Sequence, residues 1–104
     1  MATTLGPLKI DRVRGRASVG GRALALRPLD LRVLSLLARR PGRVWSRASL
    51  AEALWGPDGT VDPRAIDVCV TRLRRALDGA GDAIVTVRRV GYRLDPDLLG
   101  EITR

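Results

Sequence analysis

The stretch Arg64-Ala65-Ile66-Asp67-Val68-Cys69-Val70-Thr71-Arg72-Leu73-Arg74-Arg75-Ala76-Leu77 decides the fold. Ile66, Val70, Leu73 and Leu77 recur at i, i+4, i+7 and i+11, which places one apolar stripe along one side of an α-helix. Positions 64, 68, 71, 72 and 75 gather on the opposite side, and three of those five are Arg. Asp62-Pro63 opens the helix, with Asp at the cap and Pro at the first helical position, and Gly79-Ala80-Gly81 ends it. Residues 63–78 thus predict a helix of roughly 22 Å with a buried side and a basic side.

Downstream, Ile84 to Val87 and Gly91 to Leu94 read as a β-hairpin around Arg88-Arg89-Val90. Gly91 is expected to let the chain turn back with positive φ where the hairpin needs it. Upstream, Ser46 is a good N-cap for a second helix with the stripe Leu50, Ala53 and Leu54, and Trp55-Gly56-Pro57-Asp58-Gly59 breaks it. An earlier helix starts at Pro28, with Leu29, Val33, Leu36 and Leu37 inward and Asp30, Arg32, Ser35 and Arg39 away from that face. Its cap position is Arg27, a poor cap that forgoes roughly 1 kcal/mol, and Pro41-Gly42 stops it. Leu8–Asp11, Arg16–Val19 and Arg22–Leu26 alternate as short strands, and Gly20-Gly21 is a hairpin signal. They predict a small antiparallel sheet of three or four strands. Sheet, three helices and hairpin make an α+β chain of winged helix-turn-helix type, a helix sized for the DNA major groove with a β-wing beside it.

Composition agrees. The chain has 104 residues, 19 Lys+Arg against 11 Asp+Glu, a net charge of +8, and Lys9 as its only Lys. Arg presents a planar fork of donors that suits phosphate oxygens and guanine edges. The length suits one domain, expected over residues 1–94, with 95–104 as a loosely attached tail around Leu98-Leu99. With no His and a single Cys69, the sequence lacks the commonest general base and metal ligand and has no thiolate pair. No close carboxylate pair stands out either, so no enzyme, catalytic residue, metal or cofactor is expected. No apolar run approaches the roughly 20 residues of a membrane span, and the N-terminus has no signal-peptide pattern. A cytoplasmic protein without a membrane partner is expected.

Several stretches resemble the winged-helix effector domain of OmpR/PhoB-type response regulators: Pro28-Leu29-Asp30-Leu31, Pro41-Gly42-Arg43-Val44-Trp45-Ser46-Arg47-Ala48-Ser49-Leu50, Leu54-Trp55-Gly56, residues 64–77, and Thr86-Val87-Arg88-Arg89-Val90-Gly91-Tyr92-Arg93-Leu94. The resemblance covers Leu5 to Leu94. It implies a four-stranded N-terminal sheet and sequence-specific binding of double-stranded DNA by a bacterial transcription regulator of a two-component system. It also implies head-to-tail dimers on direct repeats, and an RNA polymerase contact in the loop from Trp55 to Asp62, through Trp55, Asp58 and Thr60. Three features depart from the family: Arg27 replaces the usual Thr or Ser cap, Thr71 stands where Arg is frequent, and the quoted chain contains no receiver domain. A second reading is a winged-helix module used mainly for protein contacts, with RNA polymerase or a fused partner domain.

The expected DNA-contacting residues are Arg64, Val68, Thr71, Arg72, Arg74, Arg75, Arg88 and Arg89. Arg64, near the helix start, is the candidate for a base contact and Val68 for a thymine methyl. Arg72 and Arg74 are expected at phosphates on the helix flanks. Arg88 is expected on the DNA backbone or in the adjacent minor groove, with Arg89 as a supporting phosphate contact or a solvated bystander. Asp67 would be repelled by DNA and is expected to pair with an Arg such as Arg47. Cys69 is expected to be small and half-buried, Trp45 and Trp55 to pack at the core or its rim, and Tyr92 to anchor the wing with its hydroxyl near a polar group.

Overall fold

A computed structural model describes residues 2–57 and 62–100. Four strands open the chain: β1 (Ala2–Leu5), β2 (Leu8–Asp11), β3 (Arg16–Val19) and β4 (Arg22–Ala23). They form an antiparallel meander in the order β1-β2-β3-β4. Ile10 lies opposite Thr3 and Ala17, and Leu8 opposite Leu5 and Val19. Leu8, Ile10 and Ala17 point into the core while Lys9 faces out, the period-two pattern of a sheet buried on one face. Gly20 and Gly21 turn the third hairpin with φ of +57° and +82°, the left-handed pair that a two-residue turn requires. The fourth strand ends at Ala23 rather than Leu26. Its last ladder-like bond, from the Leu24 N–H to the Ala17 carbonyl, precedes the climb to the first helix.

That helix, α1 (Pro28–Arg39), starts on Pro28 after Arg27, which makes no side-chain cap. Val33 and Leu37 are buried as expected, joined by Leu31, Leu34 and Ala38, whereas Leu29 and Leu36 are half-buried at the margins. Asp30 corrects the sequence reading: it is 2% exposed and points inward. Next come β5 (Trp45–Ser46) and α2 (Arg47–Trp55). Ser46 caps α2 by accepting the Ser49 N–H at 2.9 Å. Leu50 and Leu54 are buried, but Ala53 is exposed, one position off the stripe.

The third helix, α3 (Arg64–Leu77), buries Ile66, Val70, Leu73 and Leu77 to 1% exposure or less. Each such side chain contributes roughly 1.5–3 kcal/mol on leaving water. Pro63 already has helical dihedrals, and the Asp62 carboxylate accepts the Arg64 N–H at 2.9 Å, so Asp62 caps the helix. Cys69 is fully buried rather than half-buried, and burial, followed by the neighbouring Asp30 carboxylate, pushes its thiol up to about 11. A short 3-10 segment (Asp78–Ala83) leads into β6 (Ile84–Val87) and β7 (Gly91–Leu94), which with β5 form a second sheet in the order β5-β7-β6.

Gly91 serves a different purpose from the one expected. Its φ is not in the left-handed region; a Cβ there would lie 1.9 Å from the Trp45 carbonyl oxygen, so β5 and β7 can pair only over a hydrogen. The left-handed residue of this hairpin is Arg89, with φ of +65°. The tail is held as far as Leu99, which is 2% exposed, and the Asp95 N–H donates to the Ala83 carbonyl at 2.8 Å. Loose attachment therefore does not describe residues 95–99.

Candidate nucleic-acid interface

On α3 the side chains separate into an outer face and two flanks. Successive residues turn by about 100°, so Arg64, Val68, Thr71 and Arg75 share one meridian opposite the buried stripe, and all four are exposed. Val68 is 53% exposed, an apolar spot within a cationic row. Thr71 returns its hydroxyl to the Asp67 carbonyl at 3.0 Å, leaving its methyl and the oxygen lone pairs on the surface.

The flank toward α1 carries Arg72. Its Nε and Nη2 each donate at 2.9 Å to the two oxygens of Asp30, a bidentate pair in which the carboxylate is buried and the Arg side chain is 30% exposed. Hydrogen bonding to Asp30 raises the Arg72 pKa further above its ordinary value. The flank toward the wing carries Arg74, which donates to the Ile84 carbonyl at 2.6 Å and to the Thr86 hydroxyl at 2.8 Å. Both residues, expected at phosphates, fasten α3 to its neighbours, each guanidinium meeting a protein acceptor on its own flank.

Asp67 behaves as expected. It accepts from Arg47 Nε at 2.7 Å and from the Tyr92 hydroxyl at 2.5 Å, so one carboxylate ties α3 to α2 and to β7. Burial pushes the Asp67 carboxyl up, but the hydrogen bonds from Tyr92 and Arg47 outweigh that and leave it below the ordinary Asp value. Burial and then the Asp67 hydrogen bond raise the Tyr92 hydroxyl. At the far end of α3, Arg22 donates to the carbonyls of Leu77, at 3.1 Å, and Ala76, at 3.4 Å. The contact ties the sheet side of the molecule to the end of α3, and the 55-residue separation between Arg22 and Leu77 left no signal in the sequence.

Arg64 reaches back to Asp62: Nε is 3.0 Å and Nη2 2.8 Å from Oδ2. The Arg64 hydrogen bond lowers the Asp62 carboxyl and raises the Arg64 guanidinium. Beside α3, Arg88, Arg89 and Val90 form the exposed tip of the β6–β7 hairpin. Trp45 is buried, with Arg43 stacked 4.3 Å from its ring centroid, and Trp55 is half-buried at the end of α2. Asp58 and Thr60 lie outside the described residues. Among the described residues no cluster of His, Cys, Asp or Glu could hold a metal ion. No described helix is long and apolar enough to cross a membrane.

A helix held on both flanks, with its outer face bare and a β-hairpin alongside, defines a winged-helix domain. Residues 21–94 match the family described as "Transcriptional regulatory protein, C terminal", and the chain belongs to that family. It is 42% identical over 98 residues to the transcriptional regulatory protein AfsQ1 of Streptomyces coelicolor, covering 91% of this chain and 44% of that one. The phosphate regulon transcriptional regulatory protein PhoB of Rhizobium meliloti is 42% identical over 92 residues, covering 86% and 40%. The chain thus spans less than half the length of these curated relatives. Among solved structures, the DNA-binding domain of RstA from Klebsiella pneumoniae, in complex with the RstA box, superposes with a TM-score of 0.78. It is 35% identical over 91% of this chain and 97% of that domain.

Proposed function

We propose that this chain binds double-stranded DNA sequence-specifically as the effector domain of a bacterial transcription regulator, with α3 in the major groove and the β6–β7 wing alongside. The observation that carries the reading is the exposed row Arg64, Val68, Thr71 and Arg75 on a helix whose other sides are all engaged. Two of the four are cations, and a net charge of +8 draws the domain toward a polyanion. Arg64 reads a guanine edge, Val68 meets a thymine methyl, and Thr71 follows Val68 along the same row. Arg75 takes the phosphate role that Arg72 and Arg74 give up to the fold. Arg88 contacts the backbone or the adjacent minor groove, with Arg89 supporting it.

The family adds further proposals about a longer protein in the cytoplasm. Head-to-tail dimers occupy direct repeats, and the stretch containing Trp55, Asp58 and Thr60 contacts RNA polymerase.

The test is selection of bound sites from random duplexes, followed by affinity measurements on the selected site with the parent and Arg64→Ala. The expected result is a defined motif, and a loss of about 1–3 kcal/mol confined to one base pair for Arg64→Ala. Failure of the parent to bind any duplex at low salt refutes the proposal.

A further inference from the structure

An acid at the start of a helix that enters a DNA groove sits near phosphates and works against affinity. Asp62 is such an acid. Capping does not explain its charge, because Asn and Ser cap a helix about as well as Asp. Its second oxygen offers an explanation. Oδ1 accepts the Arg64 N–H at 2.9 Å, while Oδ2 holds Nε at 3.0 Å and Nη2 at 2.8 Å, on a side chain that is otherwise 86% exposed. Nε donates to Oδ2 and Nη2 stands beside it, so the Nε–Nη2 edge of the guanidinium faces the protein. The Nη1–Nη2 edge is the far edge of the fork, and its parallel pair of N–H groups matches O6 and N7 of guanine.

We propose that Asp62 is a specificity-determining residue: it holds the Arg64 fork so that its far edge is presented to a guanine. The inference rests on the reading of α3 as the helix that meets the duplex. Without the carboxylate, Arg64 is a mobile cation that pairs with a phosphate as readily as with a base. Asp62 therefore lowers affinity for arbitrary DNA and raises selectivity at one base pair.

Asp62→Asn keeps the cap and removes the charge. A thermal melt by circular dichroism first checks that the variant folds. The duplexes are the selected site, its three alternatives at the base pair where Arg64→Ala relaxes preference, and a scrambled sequence. Holding one long side chain in place is equivalent to roughly 2- to 12-fold in binding, so Asp62→Asn should lower the preference for guanine by that factor. Its affinity for the scrambled duplex should be equal or higher, since one negative charge has left. In an Arg64→Ala background the same substitution should leave the guanine preference unchanged, because there is no fork to hold. An unchanged preference in Asp62→Asn overturns the inference while leaving the proposed function in place. So does an equal loss on every duplex, because a charge that acts on all sequences alike does not select a base. A parent that binds no duplex overturns both.

Discussion

Arg72 is the residue at which the sequence and the structure make opposite predictions. As a phosphate contact, Arg72→Ala would weaken all sequences alike and flatten the salt dependence of binding by about 1. In the structure Arg72 answers a carboxylate that is 2% exposed, and its removal strands Asp30 in the core between α1 and α3. An uncompensated buried carboxylate costs about 3–5 kcal/mol, against a total of roughly 5–15 kcal/mol for a domain of this kind. At about 4–8 °C per kcal/mol, the melting temperature should fall by at least ~12 °C. Asp30→Ala should be milder, at about 1.5–3 kcal/mol for the lost charged hydrogen bonds, because Arg72 sits at the rim and can turn to water. The double variant Asp30→Leu, Arg72→Met replaces the pair with apolar volume and should recover most of the loss. Urea denaturation of the four proteins measures this, and anisotropy titrations across a salt series, well below each melting point, measure binding. A stable Arg72→Ala whose salt slope falls by about 1 would refute the reasoning and restore the phosphate role.

Other substitutions probe the wing and its anchor. Gly91→Ala places a Cβ 1.9 Å from the Trp45 carbonyl oxygen, so it should separate β5 from β7 and give a strongly destabilised protein in thermal melts; a parent-like melting temperature would contradict the close approach. Arg89→Gly removes a left-handed Arg and should stabilise the fold by about 0.5–1 kcal/mol while weakening DNA binding; a variant that gains stability without losing affinity would make Arg89 a solvated bystander. Because the folded Asp67 carboxyl lies below its unfolded value, its contribution is present above about pH 4 and is lost as pH falls through the folded value. Asp67→Asn should therefore unfold with a shallower dependence on pH at the acid end, and an unchanged acid limb would argue against the Arg47–Asp67–Tyr92 tie.

Much of the fold was legible because it is written in periods. The Ile66, Val70, Leu73 and Leu77 stripe is entirely buried, and the hairpin runs over the residues that alternation and the Arg88–Val90 turn marked out. The Asp67–Arg47 pair was legible for a chemical reason, since an acid beside a DNA-directed face has to be neutralised. Asp30 was not. Counting apolar positions places any charged residue outside, and its partner is 42 residues away. With Asp30 misplaced, Arg72 looked available. Arg74 looked available for the same reason, its acceptor being a backbone carbonyl that no side-chain pattern reveals. Gly91 was recognised as a position needing glycine, but the sequence could not distinguish a left-handed turn from a strand pressed against Trp45.

On this reading of α3, its outer face meets the duplex while its flanks hold the fold. Backbone and Arg side-chain NMR signals of the labelled domain, followed as the selected duplex is added, test it most directly. Large shifts are expected at Arg64, Val68, Thr71, Arg75 and the Arg88–Arg89 tip. The Arg72 and Arg74 side chains should keep the signatures of their intramolecular bonds, and the outer ridge of α1 at Arg32 and Arg39 should be unmoved. Shifts centred on α1 with a silent α3 would contradict it.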